Sequence, residues 1–235
     1  RLRIRLTLGN YTRSDLPWEY AYILPPDTPE DQKDLRGFLV LNKQISLVRY
    51  LATEQRKVSL DPVEKGNLRM VVIMANPKND PVYQDLKIEK EFERIQGVLK
   101  EVPAIVPEPH SDATVETLQD ALMKPAHIFH FAGHGDFAAD LGATFKTTSG
   151  HGCIILLGEE GKGEKFSADK LASLLRASQV RLAVFTACET GATDQINAWT
   201  GVVPALIREG IPAVVGMQFS IDDQNAIAFS RQFYL

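Results

Sequence analysis

Cysteine is scarce in this chain: Cys153 and Cys188 are the only two among 235 residues. That excludes a disulfide-built scaffold, leaves room for one bridge at most and fits a reducing compartment. Long apolar runs are missing too. None approaches the roughly 18 residues that span a bilayer, so no transmembrane helix and no membrane contact are expected. Positive charge is not in excess: the formal net charge is -4 and the pI near 5.8. This argues against a broad nucleic-acid surface, although "RLRIR" at the start is a local basic patch. There is no signal-peptide pattern, internal repeat or low-complexity tract. No Walker A or G-x-G-x-x-G sequence follows the first buried strand, so a nucleotide-binding domain has no sequence support. The chain lacks an initiator methionine and stops at "FSRQFYL", inside an amphipathic pattern. It is therefore expected to be a piece of a longer protein.

What is present suffices for a full core: 44% of residues are hydrophobic and 24% charged. Residues 1–65 read as an accessory section containing β segments. "RLRIRLTL" alternates as a half-buried strand with arginines on its wet face, and "LPWEYAYIL" and "ISLVRYL" look like further short β segments. "DPVEKGN", 61 to 67, reads as a linker. Over 66–235 strands and helices alternate. "RMVVIM" is a buried strand, and Ile88, Phe92, Ile95 and Leu99 form a helix stripe. "AIV" is a short strand, and Thr114 is placed to cap the helix of Val115, Leu118 and Leu122. "HIFHFA" follows as strand, "CIILL" as part of a hairpin, and Ser167 as the cap of "ADKLASLLRA". "RLAVFTA" is a strand, "TGVVPALIREG" a helix ending at Gly210, "PAVVGM" a strand, and Asp222 or Asp223 opens a last helix. Such alternation predicts a mostly parallel α/β sheet with helices on both faces.

In open α/β sheets ligands bind beyond the carboxyl ends of the strands. Two such ends carry chemistry. One is Gly133-His134-Gly135; the other is Thr186-Ala187-Cys188, 54 residues after His134. A thiolate is a strong nucleophile, and a nearby imidazole keeps the thiol deprotonated or protonates a leaving amine. The glycines let backbone approach a substrate, and the N–H groups of Gly135 and Cys188 are candidate oxyanion donors. Against this stands a bland alternative, in which Cys188 is simply a buried apolar residue. The other histidines of "HIFHFAGHG", His127 and His130, would share a helix face with His134. On a strand they diverge, so they are read as structural. His151 lies in a loop, and no set of three or four ligands has zinc spacing. No metal and no cofactor are expected.

"HFAGHGDF", "LAVFTACETG", "GIPAVVGMQFSIDD" and "AFSRQFY" together resemble the CHAT domain, a caspase-like domain often joined to tetratricopeptide repeats. "LPWEYAYIL" and "ISLVRYL" resemble the family's N-terminal section, so the likeness covers nearly the whole chain. Caspases likewise place their histidine about 50 residues before the cysteine. The resemblance implies a caspase-hemoglobinase-like fold, with His134 as general base and acid and Cys188 as nucleophile. It also implies a primary-specificity pocket for a basic side chain, with Asp223, or its neighbour Asp222, as the carboxylate that pairs with it. The same aspartates serve equally well as helix N-caps, and the two roles stay open. Phe219 stands where many relatives have tryptophan, which bears on pocket shape, and Gly133 where some carry cysteine or alanine. Glu189 next to the nucleophile would raise a thiol pKa rather than lower it. The function expected is a cytoplasmic cysteine endopeptidase acting on a protein or peptide substrate. It would be held idle until an attached repeat domain or an activating partner rearranges its loops. The alternative is an inactive caspase-like scaffold that binds partner proteins.

Overall fold

The computed structural model describes residues 2–7, 18–24, 29, 37–50, 63, 67–138, 151–186, 199–217 and 223–234; the side chains of 137–138, 151, 199–201 and 223 fall outside that description. The chain forms two compact units, Arg1–Glu54 and Gln55–Leu235. The linker read at 61–67 lies mostly outside the described residues.

In the first unit β1 (Leu2–Thr7) pairs in parallel with β2 (Ile45–Tyr50), Leu2 opposite Ile45. The alternation in "RLRIRLT" works as expected: Ile4 and Leu6 are half-buried while Arg3 and Arg5 are exposed. "LPWEYAYIL" is a correction. Trp18–Tyr20 is a 3-10 turn, and among the described residues of this stretch only Tyr22 makes a β-bridge, to Phe38. A short β segment was expected there, but Trp18–Tyr20 buries no residue. Local turn geometry therefore prevails over side-chain preference, which in strands reflects packing.

The second unit is built on a five-stranded sheet of β3 (Leu68–Ala75), β4 (Ile105–His110), β5 (Ile128–Gly133), β9 (Leu182–Thr186) and β10 (Ala213–Gly216). The order is β10-β9-β5-β3-β4 and every pairing is parallel. A second sheet, β6 (Gly135–Ala138), β7 (His151–Leu157) and β8 (Gly163–Ser167), is antiparallel. Among the described residues five α-helices accompany these sheets: α1 (Ile88–Leu99), α2 (Val115–Leu122), α3 (Ala168–Ala177), α4 (Trp199–Arg208) and α5 (Asp223–Tyr234).

The continuous apolar run of β3 serves two cores, because successive side chains point to opposite faces. Val71, Ile73 and Ala75 pack with Leu118, Leu171 and Leu206 from α2, α3 and α4. Met70, Val72 and Met74 pack with Ile95, Leu99 and Tyr234 from α1 and α5. Helices thus cover both faces, as the alternating pattern predicts.

The strand read as "AIV" continues to His110 through Pro107 and Pro109. Among the described residues β4 is an edge strand, and edges tolerate proline where the missing N–H faces away from the ladder. Leu68 N–H donates to Ala104 O, which turns the even-numbered residues of β4 toward β3 and both prolines outward. Arg69 braces the same region. Its guanidinium holds Glu108 through two bonds and donates to the carbonyls of Ala121 in the last turn of α2 and of Lys124 and Pro125 after it.

The caps follow the sequence. Thr114 accepts from Thr117 N–H at 3.2 Å and Ser167 from Lys170 N–H at 3.4 Å. At their C-termini α3 and α4 both close as Schellman motifs: Val180 N–H reaches Leu175 O, and Ile211 N–H reaches Leu206 O. The residue that must turn left-handed is Gly210 after α4 but Gln179, at φ 61°, after α3. Because a side chain is strained there, Gln179→Gly is expected to raise stability by about 1 kcal/mol in urea denaturation.

Candidate active site

The carboxyl ends of three neighbouring strands, β3, β5 and β9, define the site. β5 runs into the sheet's edge with all six residues buried. It can lie close to β3 because residue 133 is glycine: a Cβ there would sit 2.7 Å from Ala75 O and 2.8 Å from the Phe131 ring. His134 follows, between the end of β5 and the start of β6, and is fully buried. It stands where the parallel sheet hands over to the antiparallel one, and its own carbonyl accepts from Ile155 N–H at 2.9 Å.

The His134 ring is held through Nε2, which lies 2.8 Å from the Gln84 carbonyl oxygen. A carbonyl only accepts, so Nε2 carries the proton and the lone pair of the neutral ring belongs to Nδ1. Gln84 belongs to the connection between β3 and α1, and two sets of bonds shape that connection. Asn76 closes it locally, donating to Asp85 and the Leu86 carbonyl and accepting from Leu86 N–H. Asp80 accepts from Val82 N–H and from Gly163 N–H across on β8, each at 3.0 Å. Those two N–H groups hold the Asp80 carboxyl below its ordinary range.

Gly135 opens β6, opposite Ile154. The bond between Ile155 and His134 makes that pair the hydrogen-bonded one, so Gly135 and Ile154 form a non-bonded pair. The Gly135 N–H therefore points away from β7, to the outer side of β6.

Cys188 and Asp222 lie outside the described residues, as do Glu189 and Phe219. What is described is the strand leading to Cys188. β9 pairs with β5 along its length, Thr186 opposite Ala132, so the chain leaves for Cys188 from beside the strand that delivers His134. Asp223 is the first residue of α5; its side chain is outside the description. Among the described residues no group of three or more metal-binding side chains occurs.

The other cysteine is a poor nucleophile. Cys153 is fully buried on β7 and its thiol donates to the Asp136 carbonyl at 3.1 Å. Burial first, then the Asp136 charge, push its pKa up to about 11.

His127 and His130 both have structural partners. His127 precedes β5, and its Nδ1 accepts from Arg69 N–H at 3.0 Å. His130 is buried on the face of β5 toward α1 and α5, in a polar cluster that the sequence reading did not foresee. Its Nδ1 lies 3.0 Å from the Tyr234 hydroxyl, and its Nε2 lies 3.2 Å from Thr186 Oγ1 and 3.4 Å from Glu91 Oε1. Ser230 donates to the same Glu91 oxygen at 2.7 Å. Thr186 passes its own proton to the Phe131 carbonyl, so it accepts from Nε2–H, and Tyr234 donates to Nδ1. Burial holds the Tyr234 phenol far above its ordinary pKa and hence protonated.

No helix among the described residues is long and apolar enough to cross a membrane. Compared with curated proteins, the chain finds no match. A family model described as the CHAT domain matches residues 14–235, almost the whole chain, including the positions of His134 and Cys188. The chain belongs to the CHAT domain family and is a caspase-like domain of the cysteine-peptidase-related type.

Proposed function

We propose that this domain is a cysteine endopeptidase with Cys188 as nucleophile and His134 as its base and acid, cutting after a basic residue. The observation that carries this reading is the bond from His134 Nε2 to the Gln84 carbonyl. It fixes the tautomer whose Nδ1 takes a thiol proton, at the end of a strand paired to the one leading to Cys188.

In this mechanism Cys188 sulfur attacks the scissile carbonyl carbon, and the thiol proton passes to His134. The oxyanion that forms is met by the N–H groups of Gly135 and Cys188. The outward aim of the Gly135 N–H supports its part. His134 then gives its proton to the departing amine, leaving a thioester. Water, deprotonated by the same imidazole, releases the acid and restores the thiol. Asp223, with Asp222 beside it, supplies the carboxylate that pairs with an arginine or lysine side chain of the substrate. An attached repeat domain or an activating partner sets the loops that complete the site.

A peptidyl chloromethylketone with lysine next to the reactive carbon tests the reading. Wild-type protein, with its activating partner, is expected to be labelled at Cys188, and Cys188→Ala not at all. Equal labelling of both sinks the proposal and favours a scaffold. Asp223→Ala is expected to lower labelling by the lysine reagent at least tenfold relative to a leucine reagent, through loss of the charge-assisted bond. An unchanged ratio would remove Asp223 from that role.

A further inference from the structure

The mechanism above makes no use of Tyr83, yet three observations converge on it. Its ring lies against the His134 imidazole, with centroids 5.2 Å apart and planes at 39°. Its hydroxyl donates to Asp136 Oδ2 at 3.2 Å, and Lys165 Nζ holds that same oxygen at 2.7 Å. It immediately precedes Gln84, whose carbonyl meets His134 Nε2. We propose that Tyr83 is a positioning residue for His134: its ring closes one face of the imidazole, and its anchored hydroxyl holds the Tyr83–Gln84 peptide where the carbonyl meets Nε2. The inference rests on His134 serving Cys188, and it adds the device that keeps the ring in the serving orientation.

The seat of this ring is built from the hairpin side. Gly163 on β8 has no Cβ, and one added there would stand 2.5 Å from Tyr83 Cε2 and 2.8 Å from Ile155 Cγ2. The segment around Tyr83 is tied to the same hairpin by Asp80 on Gly163 N–H and by Asn79 Nδ2 on the Glu160 carbonyl at 2.9 Å. Tyr83 is 8% exposed. Burial, and next the Asp136 charge, raise its phenol well above the ordinary range, so it remains a donor wherever the protein is folded. A neutral imidazole offers one proton and one lone pair. Turned over, it would aim neither correctly, and the Tyr83 ring occupies space that such a turn would need. Tyr83 touches neither substrate nor Cys188 in this scheme and acts through His134 alone.

Nitrogen-15 NMR of the His134 ring, assigned by comparison with His134→Gln, reads the tautomer without any substrate. Wild type is expected to carry its proton on Nε2, Tyr83→Leu to show a mixture, and Tyr83→Phe to fall between the two, because the ring remains while the hydroxyl anchor is lost. Iodoacetamide alkylation of Cys188, followed by mass spectrometry across pH, is the second readout. Tyr83→Leu is expected to slow it roughly tenfold near neutral pH, as misplacement of a base does. A folded Tyr83→Leu with the wild-type tautomer and an unchanged pH profile would overturn the proposal. If that variant does not fold, Gly163→Ala displaces the ring from the opposite side, and the same two measurements decide. The two ideas fail separately. An ordinary alkylation rate in wild type, indifferent to His134, counts against the peptidase reading, while the tautomer measurement still decides Tyr83.

Discussion

His134→Ala is expected to reduce hydrolysis of a lysine-containing peptide by about 10³-fold or more at neutral pH, yet to reduce alkylation of Cys188 by only about thirtyfold. The two numbers differ because they count different things. Without the imidazole the thiol returns to an ordinary pKa of about 8.5, so about 3% is thiolate at pH 7. Alkylation needs only that thiolate, so its loss shrinks as pH rises through that value and vanishes above it. Hydrolysis also needs a proton delivered to the leaving amine, and raising the pH does not replace that donor. The hydrolysis defect is therefore expected to persist at pH 9. Cys153 does not confuse the measurement, since it is fully buried and its pKa is pushed up to about 11. Equal losses in the two assays, both recovered at high pH, would remove the acid role from His134.

The largest effect on stability is expected at His130. His130→Leu removes the imidazole whose Nε2 lies 3.4 Å from Glu91 Oε1, leaving a side chain that is 4% exposed with Ser230 as its described donor. It also strips partners from the hydroxyls of Tyr234 and Thr186. Leaving buried polar groups short of a partner costs about 1–3 kcal/mol for each. The double variant Glu91→Leu/His130→Leu removes the stranded carboxylate and is expected to recover a large part of that loss. Urea denaturation of the wild type, both single variants and the double variant gives the coupling. Simple additivity would mean that Glu91 and His130 do not act as a unit.

The parts of this molecule that were legible in its sequence depend on period and position. β3, β5 and β9 are apolar on both faces because helices cover both, and Thr114 and Ser167 cap because a hydroxyl before a helix finds its orphan N–H groups. His134 and Gly135 stood out because they end a strand. The missed parts depend on contacts distant in sequence. A backbone carbonyl such as that of Gln84 has no residue signature, so nothing in "VYQDL" says that His134 will sit over it. Tyr83 and Asp136 are 53 positions apart, and their bond exists only once β6 folds beside the β3–α1 connection. The Glu91–His130–Ser230–Tyr234–Thr186 cluster draws on two helices and two strands. "LPWEYAYIL" went astray, whereas "AIV" marked a real strand and only stopped it short of His110. Little packing is on offer around Trp18–Tyr20, and the edge at β4 has room for prolines within a strand.

Those edge prolines also bear on how the protein behaves at high concentration. An open sheet edge is a template on which another chain can crystallise its own strand, the first step toward fibrils and gelled aggregates. Along β4 the outward donors at 107 and 109 are absent, so an incoming strand would meet carbonyls with no matching N–H groups at alternate positions. The core sheet is thereby denied growth in that direction.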